Sequence, residues 1–197
     1  MSNKVEFFFD FGSPTSYLAW TQLPGIATMA DAQIIWRPML LGGVFKATGN
    51  QSPVSIPAKG RYMLQDLARF AKRYGVAMNF NPHFPINTLT LMRGAAGYLD
   101  TPQLQPYLHA VFDAMWVQQK NLGNPEVLAE VLTTAGLDGA AFAALVNDEA
   151  VKQRLKDTTE EAVKRGVFGA PTFFVDKQMH FGQDRLDFVA EALAQPA

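Results

Sequence analysis

Ser13 and Ser16, in the run Ser13-Pro14-Thr15-Ser16, stand at the spacing at which a thiol–disulfide enzyme carries its two cysteines. Serine is a favoured helix cap and proline a favoured first helical residue, so a helix is expected to open here. The start of a helix presents unpaired N–H groups and the positive end of its dipole, and both favour a thiolate over a neutral thiol. A hydroxyl at Ser13 would add one directed hydrogen bond to the sulfur without being oxidised by it. The chain contains no cysteine, so any such sulfur arrives from outside, and glutathione is the obvious carrier. Taken alone, Ser13 reads first as a helix cap. Ser16 faces the first turn and is assigned no chemistry.

Two further segments could complete a site for a tripeptide thiol. In Gly166-Val167-Phe168-Gly169-Ala170-Pro171-Thr172 a proline follows a glycine-rich turn and precedes an apolar run. A cis bond there would offer the N–H and C=O of Ala170 to an extended peptide, while a trans proline opening a strand is the alternative. In Phe181-Gly182-Gln183-Asp184-Arg185-Leu186, Asp184 near a helix start could bind an ammonium group while free N–H groups and Gln183 receive a carboxylate. That pairing suits the zwitterionic γ-glutamyl end of glutathione; read singly, Asp184 is a cap. His83, His109 and His180 lie far apart without ligand spacing, so no metal site is expected.

The elements that must position these residues follow from periodicity. Residues 4–11 are apolar at nearly every position, which predicts a strand buried on both faces. A helix from Ser13-Pro14 toward Ala30 follows, with Pro24-Gly25 expected to kink or interrupt it, and Gln33–Pro38 reads as a second strand. From about 44 to 165 the pattern is helical. Tyr62-Met63, Leu67, Phe70-Ala71 and Tyr74 recur at helical spacing and read as core. Asn124-Pro125-Glu126 opens one helix that Gly136 stops, and another runs from about Asp148 to Arg165. Two short strands, Pro171–Val175 and Gln178–Phe181, then join at Asp176-Lys177. A last helix from Asp184 turns Leu186, Phe188-Val189, Ala192 and Leu193 inward. The expectation is an α/β, thioredoxin-like fold with an inserted all-helical domain: 1–43 and 166–197 form the discontinuous thioredoxin-like domain, and 44–165 the insertion.

A chain of 197 residues with 48% hydrophobic content can build a substantial core. Seventeen Lys and Arg against 18 Asp and Glu leave no broad basic surface, so nucleic acid is not an expected partner. No apolar stretch approaches bilayer length. The first apolar run is broken by Glu6 and Asp10, without a small-residue cleavage site, so no secretory leader is expected. Lack of cysteine is compatible with a reducing, cytoplasmic setting.

Phe9-Asp10-Phe11-Gly12-Ser13-Pro14-Thr15-Ser16-Tyr17-Leu18-Ala19, Gly166 to Asp176 and Phe181 to Leu186 together resemble the 2-hydroxychromene-2-carboxylate isomerases. These are glutathione-dependent relatives of the kappa-class glutathione transferases and the DsbA oxidoreductases. Gly49-Asn50 and Lys59-Gly60-Arg61-Tyr62-Met63 with Asp66-Leu67 resemble the kappa-class segment that also touches glutathione. The resemblance implies that Ser13 hydrogen-bonds the glutathione sulfur and Ala170 docks the cysteinyl backbone. It implies that Phe181, Gly182, Gln183 and Asp184 hold the γ-glutamyl end, with Asn50 on the sulfur side and Lys59 at the glycyl carboxylate. Lys46, Arg61 and Arg93 are candidates for a substrate carboxylate; each is equally readable as a solvated surface cation. The pattern departs from the family at Thr15, where an aromatic is common, and at His180-Phe181, which replaces a bulkier aromatic pair.

The implied activity is the interconversion of 2-hydroxychromene-2-carboxylate, or a related aromatic catabolite as in naphthalene degradation, and trans-o-hydroxybenzylidenepyruvate, with glutathione as a regenerated cofactor in a homodimer. Two alternatives stand beside it: a kappa-like transferase releasing a glutathione conjugate, and a non-catalytic thioredoxin-fold binding protein. Disulfide exchange by the chain itself is excluded by composition.

Overall fold

The computed structural model describes residues 3–195; the outermost positions of the expected thioredoxin-like domain, 1–2 and 196–197, lie outside them. The chain runs β1 (Lys4–Phe9), α1 (Pro14–Met29), β2 (Gln33–Pro38), α2 (Leu41–Thr48), a 3-10 turn (Pro53–Ser55), α3 (Pro57–Tyr74), α4 (Leu89–Tyr98), α5 (Leu104–Trp116), α6 (Pro125–Thr134), α7 (Gly139–Asn147), α8 (Glu149–Lys164), β3 (Thr172–Val175), β4 (Gln178–Phe181), a second 3-10 turn (Gln183–Arg185) and α9 (Leu186–Leu193). The four strands form one sheet in the order β2-β1-β3-β4. β1 pairs parallel with β2 and antiparallel with β3, and β3 antiparallel with β4, a thioredoxin-like arrangement.

The unbroken apolar run of β1 is explained by two different cores on its two faces. Phe7 and Phe9 belong to the main core; Phe7 stacks on Phe173 at 5.2 Å between ring centroids, and Phe9 and Phe11 meet Phe112 of α5. Phe8 points the other way, into a smaller cluster with Met39, Val44, Ala162, Val167 and Phe174 beneath α2 and α8. On that face Glu6 takes Arg165 through both carboxylate oxygens at 2.7 and 3.0 Å, and the Arg165 guanidinium lies 3.8 Å from the centre of the Phe174 ring. The charge is thus paired and stacked where α8 covers the sheet, which is what half-buried arginine requires.

Three local expectations change in the folded chain. Of the two outcomes expected at Pro24-Gly25, interruption does not occur: α1 continues from Pro14 to Met29 through Pro24, and its inward residues Leu18, Leu23 and Ala27 are buried on both sides of the proline. Phe188 does not turn inward but is 53% exposed; the buried stripe of α9 is Leu186, Val189 and Leu193, one residue in three or four. Tyr62 on α3 is likewise 61% exposed while Leu67 and Ala71 carry the buried face. The boundary expected between 43 and 44 falls inside α2. The caps read at Ser13 and Asn124 are present, and Asp148, read only as the start of a helix, also accepts backbone N–H groups at its first turn. Among the described residues no helix is long and apolar enough to cross a membrane.

Candidate active site

The head of α1, the end of α2, the first turns of α3 and the loops around 168–170 and 181–184 enclose a cavity of about 1140 Å³. Ser13 sits at its floor, 3% exposed. Its Oγ accepts the Ser16 N–H at 3.1 Å, the capping bond expected of the local sequence, and donates to the Ala170 carbonyl at 2.9 Å. Thr15 Oγ1 lies 2.9 Å from Ser13 Oγ and 3.1 Å from the same carbonyl. The Ala170-Pro171 bond is cis, as is Phe84-Pro85. The Ala170 carbonyl is therefore not free for a docking peptide, since two hydroxyls at the head of α1 already face it; the Ala170 N–H donates to none of the described residues.

Asp10 holds this floor in place. Its Oδ1 accepts the Gly12 N–H and its Oδ2 the Leu41 N–H, each at 2.8 Å, so one carboxylate ties the β1–α1 turn to the first residue of α2. Burial pushes its pKa above the usual carboxylate value, and those bonds, with one from Thr88, pull against that push. Sequence reading passed over Asp10 because an acid ending a strand carries no local signal of a partner 31 residues on.

Phe181, Gly182, Gln183 and Asp184 line the same cavity. The Gly182 N–H donates to the Pro171 carbonyl at 3.0 Å, which fastens this loop to the one carrying Ala170. Gly182 has φ +99°, a conformation that disfavours any side chain. Gly169 lies so close to the Phe181 ring that an added Cβ would stand 2.7 Å from it. Phe181 and Phe168 pack at 4.6 Å over this turn. Asp184 is paired with Arg185 at 2.8 Å on the surface. A residue not singled out from sequence, Tyr74 of α3, donates to the Gln183 carbonyl at 2.9 Å; its phenol is pushed up to about 12, chiefly by burial and then by Asp187. The signal was present as an apolar position in the α3 stripe, but the stripe does not distinguish a packed ring from one with a hydroxyl in use.

Asn50 and Lys59 also line the cavity, both exposed. Asn50 Nδ2 donates to the Phe168 carbonyl at 2.8 Å, so it braces the loop leading to Ala170. Lys46 and Arg61, both exposed, do not line this cavity, and Arg93 lines a different one between α2, α4 and α8. Lys59 is the single cation among the described lining residues, beside the carboxylates of Asp10, Asp66 and Asp184. Ser16 is fully buried, its hydroxyl has no partner among the described residues, and it does not line the cavity. Among the described residues no three His, Cys, Asp or Glu side chains gather as a metal site would need.

A hydroxyl-capped helix head and a neighbouring loop whose Ala170 N–H has no partner among the described residues border one roomy cavity, in a chain without cysteine. Comparisons with known proteins show its family. The model of the DSBA-like thioredoxin domain matches residues 4–194. A 2-hydroxychromene-2-carboxylate isomerase of Sphingobium xenophagum is 32% identical over 195 residues, covering 98% of this chain and 99% of the relative. Glutathione S-transferase kappa 1 of Rattus norvegicus is 30% identical over 205 residues, covering 97% and 91%. The solved structure of a 2-hydroxychromene-2-carboxylate isomerase superposes with a TM-score of 0.87 at 31% identity, over 96% of this chain and 94% of that one. Sequence over nearly the full length and backbone alike thus make this chain a member of the DSBA-like thioredoxin family, among its 2-hydroxychromene-2-carboxylate isomerases and kappa-class glutathione transferases.

Proposed function

We propose that the chain is a glutathione-dependent isomerase that interconverts 2-hydroxychromene-2-carboxylate, or a related aromatic catabolite, and trans-o-hydroxybenzylidenepyruvate. The observation that carries this reading is the Ser13 hydroxyl, fixed at the head of α1 and opening on the large cavity in a chain without cysteine. The residues present fit glutathione: the Ala170 N–H has no partner among the described residues, Lys59 can meet the glycyl carboxylate, and the Gly182–Asp184 loop offers an acid beside backbone N–H groups at the other end. Bound there, glutathione supplies a thiolate that adds reversibly to a conjugated carbon, so that a double bond becomes rotatable before the thiolate leaves.

The chain's own residues do the rest. Ser13 and the N–H groups at the start of α1 hold negative charge at the sulfur position. Asn50 holds the 168–170 loop against it. Asp184 must give up its surface pairing with Arg185 to receive an ammonium, a small cost because exposed ion pairs contribute little. The half-exposed side chains at the rim, Ile56, Tyr62, Phe168 and Phe181, offer an aromatic substrate apolar surface and shield the reaction from water. The division into 1–43 with 166–197 and 44–165 belongs to the same proposal: the first part supplies Ser13, Ala170 and Gly182–Asp184, the second Asn50 and Lys59.

One observation favours a second reading. With Lys46, Arg61 and Arg93 away from the cavity and Lys59 needed by glutathione, a substrate carboxylate meets no second cation among the described lining residues, as would suit a transferase acting on an uncharged electrophile. Absorbance against time with 2-hydroxychromene-2-carboxylate, with and without glutathione, separates the two when total glutathione is also measured. The isomerase turns over many equivalents and leaves glutathione unchanged; the transferase consumes it one for one. Absence of turnover together with no rise in melting temperature on adding glutathione would remove both.

A further inference from the structure

The oxygens at the head of α1 make more contacts than they have protons. Ser13 Oγ and Thr15 Oγ1 are 2.9 Å apart, and they lie 2.9 and 3.1 Å from the Ala170 carbonyl oxygen. Two hydroxyls own two protons, so at most two of these three contacts are hydrogen bonds at one time. Ser13 Oγ already accepts the Ser16 N–H. What it can offer an incoming sulfur is its one proton, and that proton is directed at the Ala170 carbonyl. The carbonyl belongs to a residue only 9% exposed and needs a donor of its own. Thr15, half-buried and lining the cavity, is placed to supply it.

We infer that Thr15 is a positioning residue for Ser13: by donating to the Ala170 carbonyl it releases the Ser13 proton to a bound thiolate while leaving no buried acceptor unpaired. The inference rests on the reading that glutathione binds with its sulfur at Ser13. Without the Thr15 hydroxyl, Ser13 must choose between carbonyl and sulfur, and the anionic form of the sulfur loses support. Thr15 acts through Ser13 in this arrangement and gains nothing once Ser13 is gone.

The test is the ultraviolet titration of the bound glutathione thiolate, with the glutathione dissociation constant measured by calorimetry at a pH where the thiol is neutral. Thr15→Val keeps the branched shape and removes the hydroxyl; Thr15→Ala is the second deletion should valine pack badly; Thr15→Ser restores the donor. The thiolate midpoint is expected to rise by about one unit in Thr15→Val and Thr15→Ala, a roughly tenfold loss of thiolate below the midpoint. In Thr15→Ser it should stay at the wild-type value, and binding of the neutral thiol should change less than about twofold throughout. In a Ser13→Ala background, Thr15→Val should add no further shift. An unmoved midpoint in both deletions, a shift in Thr15→Ser as large as in Thr15→Val, or a shift persisting without Ser13 would each overturn the inference alone. A wild-type protein whose bound thiol titrates like free glutathione would overturn the thiol-site reading, and the inference with it.

Discussion

Around Ser13 and Ala170 the cavity floor is buried and cross-tied: they are 3% and 9% exposed, and Ser16, Thr15 and Asp10 hold the surrounding backbone through hydrogen bonds of 2.8–3.1 Å. Along the Asn50–Tyr62 side the picture reverses. Ile56 is 48% and Tyr62 61% exposed, and Asn50 and Lys59 are exposed too. A buried hydrogen bond that loses its partner costs on the order of 1–3 kcal/mol, whereas an exposed ion pair contributes roughly 0–1 kcal/mol. The molecule therefore fixes the position proposed for the sulfur and holds the opposite side of the cavity less tightly.

The contrast is broken most directly at Ser13. Ser13→Ala removes both the cap and the proposed sulfur donor; turnover in the glutathione-dependent assay is expected to fall by about 100-fold or more, the scale of losing one preorganised donor. The cap itself contributes only about 1 kcal/mol to stability. A variant that is destabilised by that amount yet turns over normally would reduce Ser13 to a cap.

Asp10→Asn tests whether the floor is held as described. The amide has one acceptor oxygen for two N–H groups, so a loss of roughly 1–3 kcal/mol in chemical denaturation is expected. The pH dependence has a definite sign. The folded pKa of Asp10 is raised from 3.8, so the folded state holds this proton more tightly than the unfolded one. The resulting stability is fully present below about 3.8 and is lost as pH rises through the folded value. The asparagine variant lacks that loss, and the gap between the two proteins should narrow as pH rises from the acid side. A widening gap would mean that the two N–H bonds outweigh burial.

Lys59→Ala should have the smallest effect, because Lys59 is exposed. Glutathione affinity is expected to weaken by about threefold to fivefold at low ionic strength and by less in high salt. A loss as large as that at Ser13 would show the open side to be as demanding as the floor.

How much could be read in advance depended on the range of the interaction concerned. The cap at Ser13-Pro14, the doubly buried strand Lys4–Phe9 and the β3-turn-β4 pair are written in neighbouring residues, and the folded chain contains them. Pro24 looked like a break because propensity is local, yet Leu23 and Ala27 fasten the helix on either side of it. Phe188 looked buried because it is apolar, yet it lies off the Leu186, Val189 and Leu193 stripe that α9 buries. Lys46, Arg61 and Arg93 were equivalent as cations; the packing of α2, α3 and α4 directs them away from the cavity that Lys59 enters.

The amino-acid order alone determined that any sulfur chemistry must use a borrowed thiol, since no cysteine is present, and that a helix would begin at Ser13, since capping is decided within four residues. Tertiary structure alone decided what that serine faces. The Ala170 carbonyl lies 157 residues along the chain and the Leu41 N–H that anchors Asp10 lies 31 away. Contacts of that separation have no trace in local residue preference; they exist only once the sheet order β2-β1-β3-β4 has set β2 and β3 on either side of β1.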